Sequence, residues 1–318
     1  PDGAAIASGG DDRTVRVWDV ATGRPRFESG HRDALLALAF SPDGRRLASG
    51  GDDASVVLWE SATGRELRAL PAGGNSVTCV TFSPDGRSVA AIVRDRQVRL
   101  WDADDGHEKL WTGGTDPHVL AAVFSPEGKL RLWESSPDAI RLREAATGAP
   151  VAVVRGSWSG NPMAAFSPGG RWAVTEGTPS TLGVWGAAPV DPARRIPSPG
   201  GDIASLAVSP EGLLVAVGRR DGPIVMLSPD TGQEAFRIEA HLDAVSALAF
   251  SPDGASLASG SADCSVCLWS SRTGAPRRHR YREHGDARDP ARGPSDPADP
   301  RHLPRRPRGR HDVGHLLS

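Results

Sequence analysis

Lysine is almost missing from this 318-residue chain: of its 37 basic residues only Lys109 and Lys129 are lysine, and the rest are arginine. With the abundance of Ala, Gly and Pro, that bias points to a GC-rich, bacterial genome, which says something about codons and nothing about activity. Cysteine is scarce as well. Cys79, Cys264 and Cys267 are too few for a disulfide framework, so a reducing cytoplasm is expected. No apolar run approaches the roughly 20 residues that span a bilayer, which excludes a helical membrane protein. No signal peptide is recognisable, although the chain begins at Pro1 rather than Met, so a lost leader or membrane segment stays open. A formal net charge of −2 provides no global field for nucleic acid or anionic lipid, and neither partner is expected.

The charge is unevenly spread. Residues 275–318 hold 11 arginines, seven prolines and only six acidic groups, whereas residues 1–274 carry an acidic excess. Two kinds of material follow: a body over 1–274 and a Pro/Arg-rich tail over 275–318 that supplies one last strand at most and is otherwise disordered.

The body repeats. Phe40, Phe82, Phe124, Phe166, Val208 and Phe250 lie 42 residues apart, and each is followed by Ser-Pro. Nineteen residues after each comes Trp59, Trp101, Arg143, Trp185, Leu227 or Trp269, and Trp18 precedes the series. Within a period, short runs such as Ala34–Phe40 and Ser55–Trp59 alternate apolar and small residues, a strand pattern rather than a helical one. Turn chemistry separates the runs. Ser41-Pro42-Asp43-Gly44 sets proline where φ near −65° is wanted and glycine where φ must be positive; Gly50-Gly51-Asp52-Asp53 and Ala62-Thr63-Gly64 close the next two hairpins. Each period thus reads as four short antiparallel strands, the third ending near Trp18, Trp59, Trp101, Arg143, Trp185, Leu227 or Trp269.

Gly30-His31, Phe40-Ser41-Pro42-Asp43-Gly44, Leu47-Ala48-Ser49-Gly50 and Leu58-Trp59-Glu60 together resemble the WD repeat, and Trp18-Asp19 and Trp101-Asp102 spell its dipeptide. The resemblance covers residues 1–274. It implies an all-β, seven-bladed propeller of four-stranded antiparallel blades, the first missing one strand, and a monomer. It also implies a buried tetrad in each blade: His31, Ser49, Asp53 and Trp59 in blade two, and His241, Ser259, Asp263 and Trp269 in blade seven. Only those two sets are complete. Blade one keeps Ser8, Asp12 and Trp18; blade three keeps Asp95 and Trp101 but has Gly73 and Ala91 at the other places. Blades four to six depart further, with Arg143, Leu227 and Pro179 at tetrad positions, and should be held by packing and be the softest part of the ring.

Rival chemistries are weak. Ser, His and Asp in one blade suggest a hydrolase triad, but the same set recurs at fixed offsets with a tryptophan completing it, so no catalytic residue is expected. Asp102–Gly106 lacks the length and terminal Glu of an EF-hand loop. Cys264 and Cys267 fall within a strand, three residues apart and so on opposite faces, and glycine-rich segments such as Ser49-Gly50-Gly51 precede no helix. No metal or cofactor is expected. Trp133 and Trp172 read as space-fillers between blades, Trp133 compensating for Arg143.

The expected function is a non-enzymatic scaffold, binding a protein or peptide on the face made by the loops that carry His and Asp. That face would show Arg32, Asp52, Asn75, Arg94, Arg96, His118, Trp158, Arg219, Arg220 and Leu242, with basic patches at Arg94/Arg96 and Arg219/Arg220. Trp158 is either an exposed anchor or buried under the next blade. The alternative is a sensor module of a larger bacterial signalling enzyme such as a Ser/Thr kinase. The tail still opens like a repeat, His284-Gly285-Asp286-Ala287 matching His241-Leu242-Asp243-Ala244. A one-base shift near Ala287 would make residues 288–295 compatible with the pattern of 245–252, so the tail reads as a frameshifted eighth repeat and the chain as a fragment.

Overall fold

The computed structural model describes residues 2–94, 97–112, 118–125, 127–136, 139–155, 164–166, 172–176, 181–186, 194–197, 202–282 and 313–317. Its strands are β1 (Ala5–Gly10), β2 (Thr14–Asp19), β3 (Pro25–Gly30), β4 (Leu35–Phe40), β5 (Arg46–Gly51), β6 (Ser55–Glu60) and β7 (Glu66–Pro71). There follow β8 (Val77–Phe82), β9 (Ser88–Val93), β10 (Gln97–Asp102), β11 (Glu108–Thr112), β12 (His118–Phe124), β13 (Leu130–Ser136), β14 (Ala139–Glu144) and β15 (Pro150–Arg155). Next come β16 (Ala164–Phe166), β17 (Trp172–Glu176), β18 (Thr181–Gly186), β19 (Arg194–Pro197), β20 (Ile203–Val208), β21 (Val215–Arg219), β22 (Ile224–Leu227) and β23 (Glu234–Ile238). The last are β24 (Ala247–Phe250), β25 (Ser256–Ser261), β26 (Ser265–Ser270), β27 (Pro276–Arg282) and β28 (Val313–Leu317).

The chain forms an all-β propeller of small antiparallel sheets, and the expected blade count needs correcting. Six blades, two to seven, are built whole from four consecutive strands: β4–β7, β8–β11, β12–β15, β16–β19, β20–β23 and β24–β27. Strands β1–β3 do not stand as a blade one strand short. They are joined by β28, giving a composite sheet in the order β28-β1-β2-β3. The tail therefore contributes two strands rather than one, because β1 presents an inner edge that nothing in the first repeat can pair. The third strands end at, or one residue past, the seven positions marked by the tryptophan period.

The first strand of each whole blade and β28 in the composite sheet lie innermost. β4 runs beside β8 and β28, β28 beside β24, β24 beside β20, and β20 beside β16. Between sheets the apolar residues of the described segments gather into six seams, none of them between blades four and five. Ala7, Val15 and Val17 meet Leu35, Leu38, Leu47 and Trp59 between the composite sheet and blade two. Ile6 and Trp18 meet Ala247, Ala249, Ala258 and Leu268 between it and blade seven. Small residues on one face against larger ones on the next let sheets stack closely, each buried Leu or Val contributing about 1.5–3 kcal/mol.

The Ser-Pro-Asp-Gly turn is reused with one geometry. Ser41 Oγ donates to Asp43 Oδ1 at 2.6 Å, the Arg45 N–H reaches the same oxygen at 3.0 Å, and Gly44 N–H closes on Ser41 O at 2.8 Å. Gly44, Gly86 and Gly254 all have φ near +70°. At Gly86 a Cβ would meet no atom closer than 3.7 Å, so backbone strain alone sets the cost of a side chain there. Gly86→Ala should lower stability by about 1 kcal/mol, read as a reduced urea midpoint with unchanged slope.

Candidate interaction face

The two complete tetrads are assembled. In blade two the Trp59 indole N–H donates to Ser49 Oγ at 2.6 Å, Ser49 Oγ lies 2.6 Å from His31 Nε2, and His31 Nδ1 lies 3.0 Å from Asp53 Oδ2. Blade seven repeats this: Trp269 to Ser259 at 2.8 Å, Ser259 to His241 Nε2 at 2.7 Å, and His241 Nδ1 to Asp263 Oδ2 at 3.2 Å. Every hydrogen has a place when Ser donates to Nε2 and Nδ1–H donates to Asp. Ser49 and Ser259 have no exposed surface, so neither hydroxyl can meet a substrate.

The aspartate does a second job. Asp53 Oδ2 also accepts the Arg32 N–H at 3.0 Å, and Asp263 Oδ2 accepts the Leu242 N–H at 3.1 Å. The residue after each tetrad histidine is thus fixed in its backbone while its side chain projects outward: Arg32 is exposed and Leu242 is 83% exposed. Burial pushes the Asp263 carboxyl up, but hydrogen bonds from His241, Ser265 and the Leu242 N–H outweigh it and hold its pKa below the usual range.

In three sheets an arginine enters the tetrad region, which the period alone did not reveal. The residue opposite the tetrad serine is Val57 in blade two and Cys267 in blade seven. In the composite sheet it is Arg16, opposite Ser8. Arg16 Nη1 pairs with the tetrad aspartate Asp12 at 2.6 Å and Nη2 with Glu28 at 3.2 Å, and its side chain is 8% exposed. Blade three has Arg99 opposite Ala91, and a Cβ on Gly73, the histidine position, would lie 2.4 Å from Arg99 Nη2. The guanidinium leaves no room for a side chain at the lost histidine's position. The legible signal was the residue two before the tryptophan, which is Arg in Arg16-Val17-Trp18 and Arg99-Leu100-Trp101 but Val or Cys in the histidine blades.

Blade four corrects the reading of Trp133. Its β13–β14 hairpin is one residue tighter, with Glu134 opposite Arg141 where Ser49 is opposite Val57. Glu134, 3% exposed, therefore occupies the serine position and accepts a charged hydrogen bond from Arg143 Nε at the tryptophan position. Trp133 is buried one residue away, opposite Leu142 and Ala121. In blade six Val217, Val225 and Leu227 replace the tetrad by packing.

The proposed rim residues are not uniform. Arg94, Asn75 and Arg220 are exposed and Asp52 is half-buried. Arg219 is half-buried and bound to Asp221 by two contacts of 2.8 Å, so Arg219/Arg220 is not the basic patch expected. Arg96 and Trp158, with Asp95 and Pro179, lie outside the described residues, as do the side chains of His118 and Trp172. Asp102 Oδ1 accepts the N–H groups of Asp104 and Asp105 while Lys109 Nζ sits 2.9 Å from Oδ2, an ordinary hairpin turn. Cys264 is exposed and Cys267 buried.

Four stretches match the model of the WD domain, G-beta repeat: residues 1–19, 24–60, 64–102 and 232–270. These four stretches are WD40 repeats by that match, and each ends one residue past a tryptophan of the period, Trp18, Trp59, Trp101 or Trp269. A 38-residue segment is 58% identical to the transcription initiation factor TFIID subunit 5 of Caenorhabditis elegans, covering 12% of this chain and 6% of that protein's length.

Three outcomes follow. Ser49→Ala strips the Trp59 indole and His31 of their shared partner and should cost about 2–3 kcal/mol in urea unfolding. Arg16→Met should cost about 2 kcal/mol, and less in an Asp12→Ala background, where no carboxylate is stranded. Because the folded-state pKa of Asp263 is depressed, its contribution is present above the unfolded value of 3.8 and is lost as pH falls below it. Asp263→Asn should therefore show a shallower loss of stability between pH 5 and about pH 3 than the parent.

Proposed function

We propose that the chain is a non-enzymatic scaffold that holds a protein or peptide on its loop face, with the composite sheet closing the ring as a seventh blade. WD40 propellers are typically protein-interaction modules, and four stretches of this chain match that repeat. The observation that carries the reading is the pairing of Arg32 and Leu242. They occupy the same repeat position in blades two and seven, on either side of the composite sheet, each anchored through its N–H by a tetrad aspartate. A large apolar side chain left 83% exposed on a backbone so fixed loses little entropy on binding. The buried tetrad serines leave the hydroxyls no catalytic access, which supports the non-enzymatic part. The particular partner, the cytoplasmic setting and the bacterial source belong to the same proposal.

Peptides selected by display against the immobilised full chain provide the test. Leu242→Asp and Arg32→Glu should each weaken the selected ligands at least tenfold while leaving the melting temperature within a degree or two. Ligands indifferent to both substitutions would refute the assignment of this face.

A further inference from the structure

The outer rim carries one strand richer in arginine than its counterparts: β15 and β19 also have arginine without an acidic residue, one and two respectively, whereas β27 has four. β27 is the outermost strand of blade seven, with one edge paired to β26. Its seven residues include Arg277, Arg278, His279, Arg280 and Arg282 and no acidic group, and the exposed Arg272 lies in the turn before it. The outermost strands β3, β7, β11 and β23 each contain a glutamate, and in three of them it pairs with an arginine of its own sheet: Glu28 with Arg16, Glu108 with Arg99, and Glu234 with Arg237. In blade seven the described compensation is a turn aspartate, Asp253, whose carboxyl feels the charge of Arg277. The strands β24, β25 and β26 contain no charged residue at all. Register irregularities on either side of Leu268 bring Tyr281 opposite Val266, as Leu70 is opposite Val56 and Ile238 opposite Ile224.

We propose that the outer edge of β27 is a second docking site, which takes an acidic, extended segment of a partner protein as an added strand. The edge presents a row of backbone N–H and C=O groups about 23 Å long at 3.3 Å per residue, and a peptide in strand conformation satisfies that row. Nucleic acid has no matching ladder, and the protein's net charge of −2 does not attract a polyanion from a distance. Glutamates along the added strand complement a strand of four arginines and no acidic residue, beside three strands that contain no charged residue. Edge arginines also discourage aggregation, so a purely protective role is the reading to be beaten.

The experiment uses the full chain and three fluorescein-labelled ten-residue peptides, in which threonine alternates with glutamate, threonine with lysine, or proline with glutamate. Fluorescence anisotropy should show saturable, salt-sensitive binding of the first alone, the proline version being at least tenfold weaker because it lacks alternate N–H donors. The variant R278E/R280E/R282E should lose the binding at least tenfold, and the milder R278Q/R280Q should lose several-fold. Leu242→Asp, on the loop face, should change nothing, which separates this site from that one. Equal binding of the proline peptide, equal binding of a single-stranded oligonucleotide, or full binding by both folded arginine variants overturns the proposal, and aggregation of the glutamine variant without any peptide binding by the parent assigns the arginines to protection.

Discussion

A buried indole nitrogen must be given an acceptor, and much of this molecule is arranged around that requirement. Trp18, Trp59 and Trp269 each donate to a serine on the adjoining strand, at 2.9, 2.6 and 2.8 Å. The serine sits two residues along the ladder, so the bond forms only when the second and third strands of the sheet are in register. It then fixes the imidazole, the imidazole fixes the aspartate, and the aspartate fixes the loop on the exposed face. One polar contact inside a sheet thus sets the position of a side chain on the surface.

Around that tetrad position the other sheets take three physical forms. Arg16 places a guanidinium on Asp12 in the composite sheet. Glu134 and Arg143 substitute an ion pair for hydroxyl and indole at matching register positions. Blade six dispenses with polarity, filling the place with Val217 and Leu227. The arginine solutions hold charge in half-buried places and are well placed only because a carboxylate lies within reach. The aliphatic solution needs no polar partner.

Much of the architecture was legible because turns are chemically strict. Gly44, Gly86 and Gly254 need positive φ, so the spacing of Ser-Pro-Asp-Gly marked the strands between them. The complete tetrads were legible because four different residue types at constant offsets cannot be a packing accident. What the spacing hid was local slippage: the tighter β13–β14 hairpin moves the serine position from Trp133 to Glu134, and no fixed period can register a one-residue change. The pairing of Arg219 with Asp221 was equally hidden, since the sequence shows adjacent charges but not which of them are spent on each other. The closing strand β28 carries none of the repeat's marks, and its place follows from the vacant edge of β1 rather than from its own residues.

The matched stretch 24–60 begins with β3, the outer strand of one sheet, and ends with β6 of the next. The unit that recurs in the sequence is therefore staggered by one strand against the unit that folds. A gene that gains or loses one period transfers the outermost strand of one sheet together with the inner three of its neighbour, so a newcomer is hydrogen-bonded to its predecessor from the moment it exists. Growth by duplication in such a chain is a covalent splice across a seam, and this stagger lets repeat number change without leaving a loose blade behind.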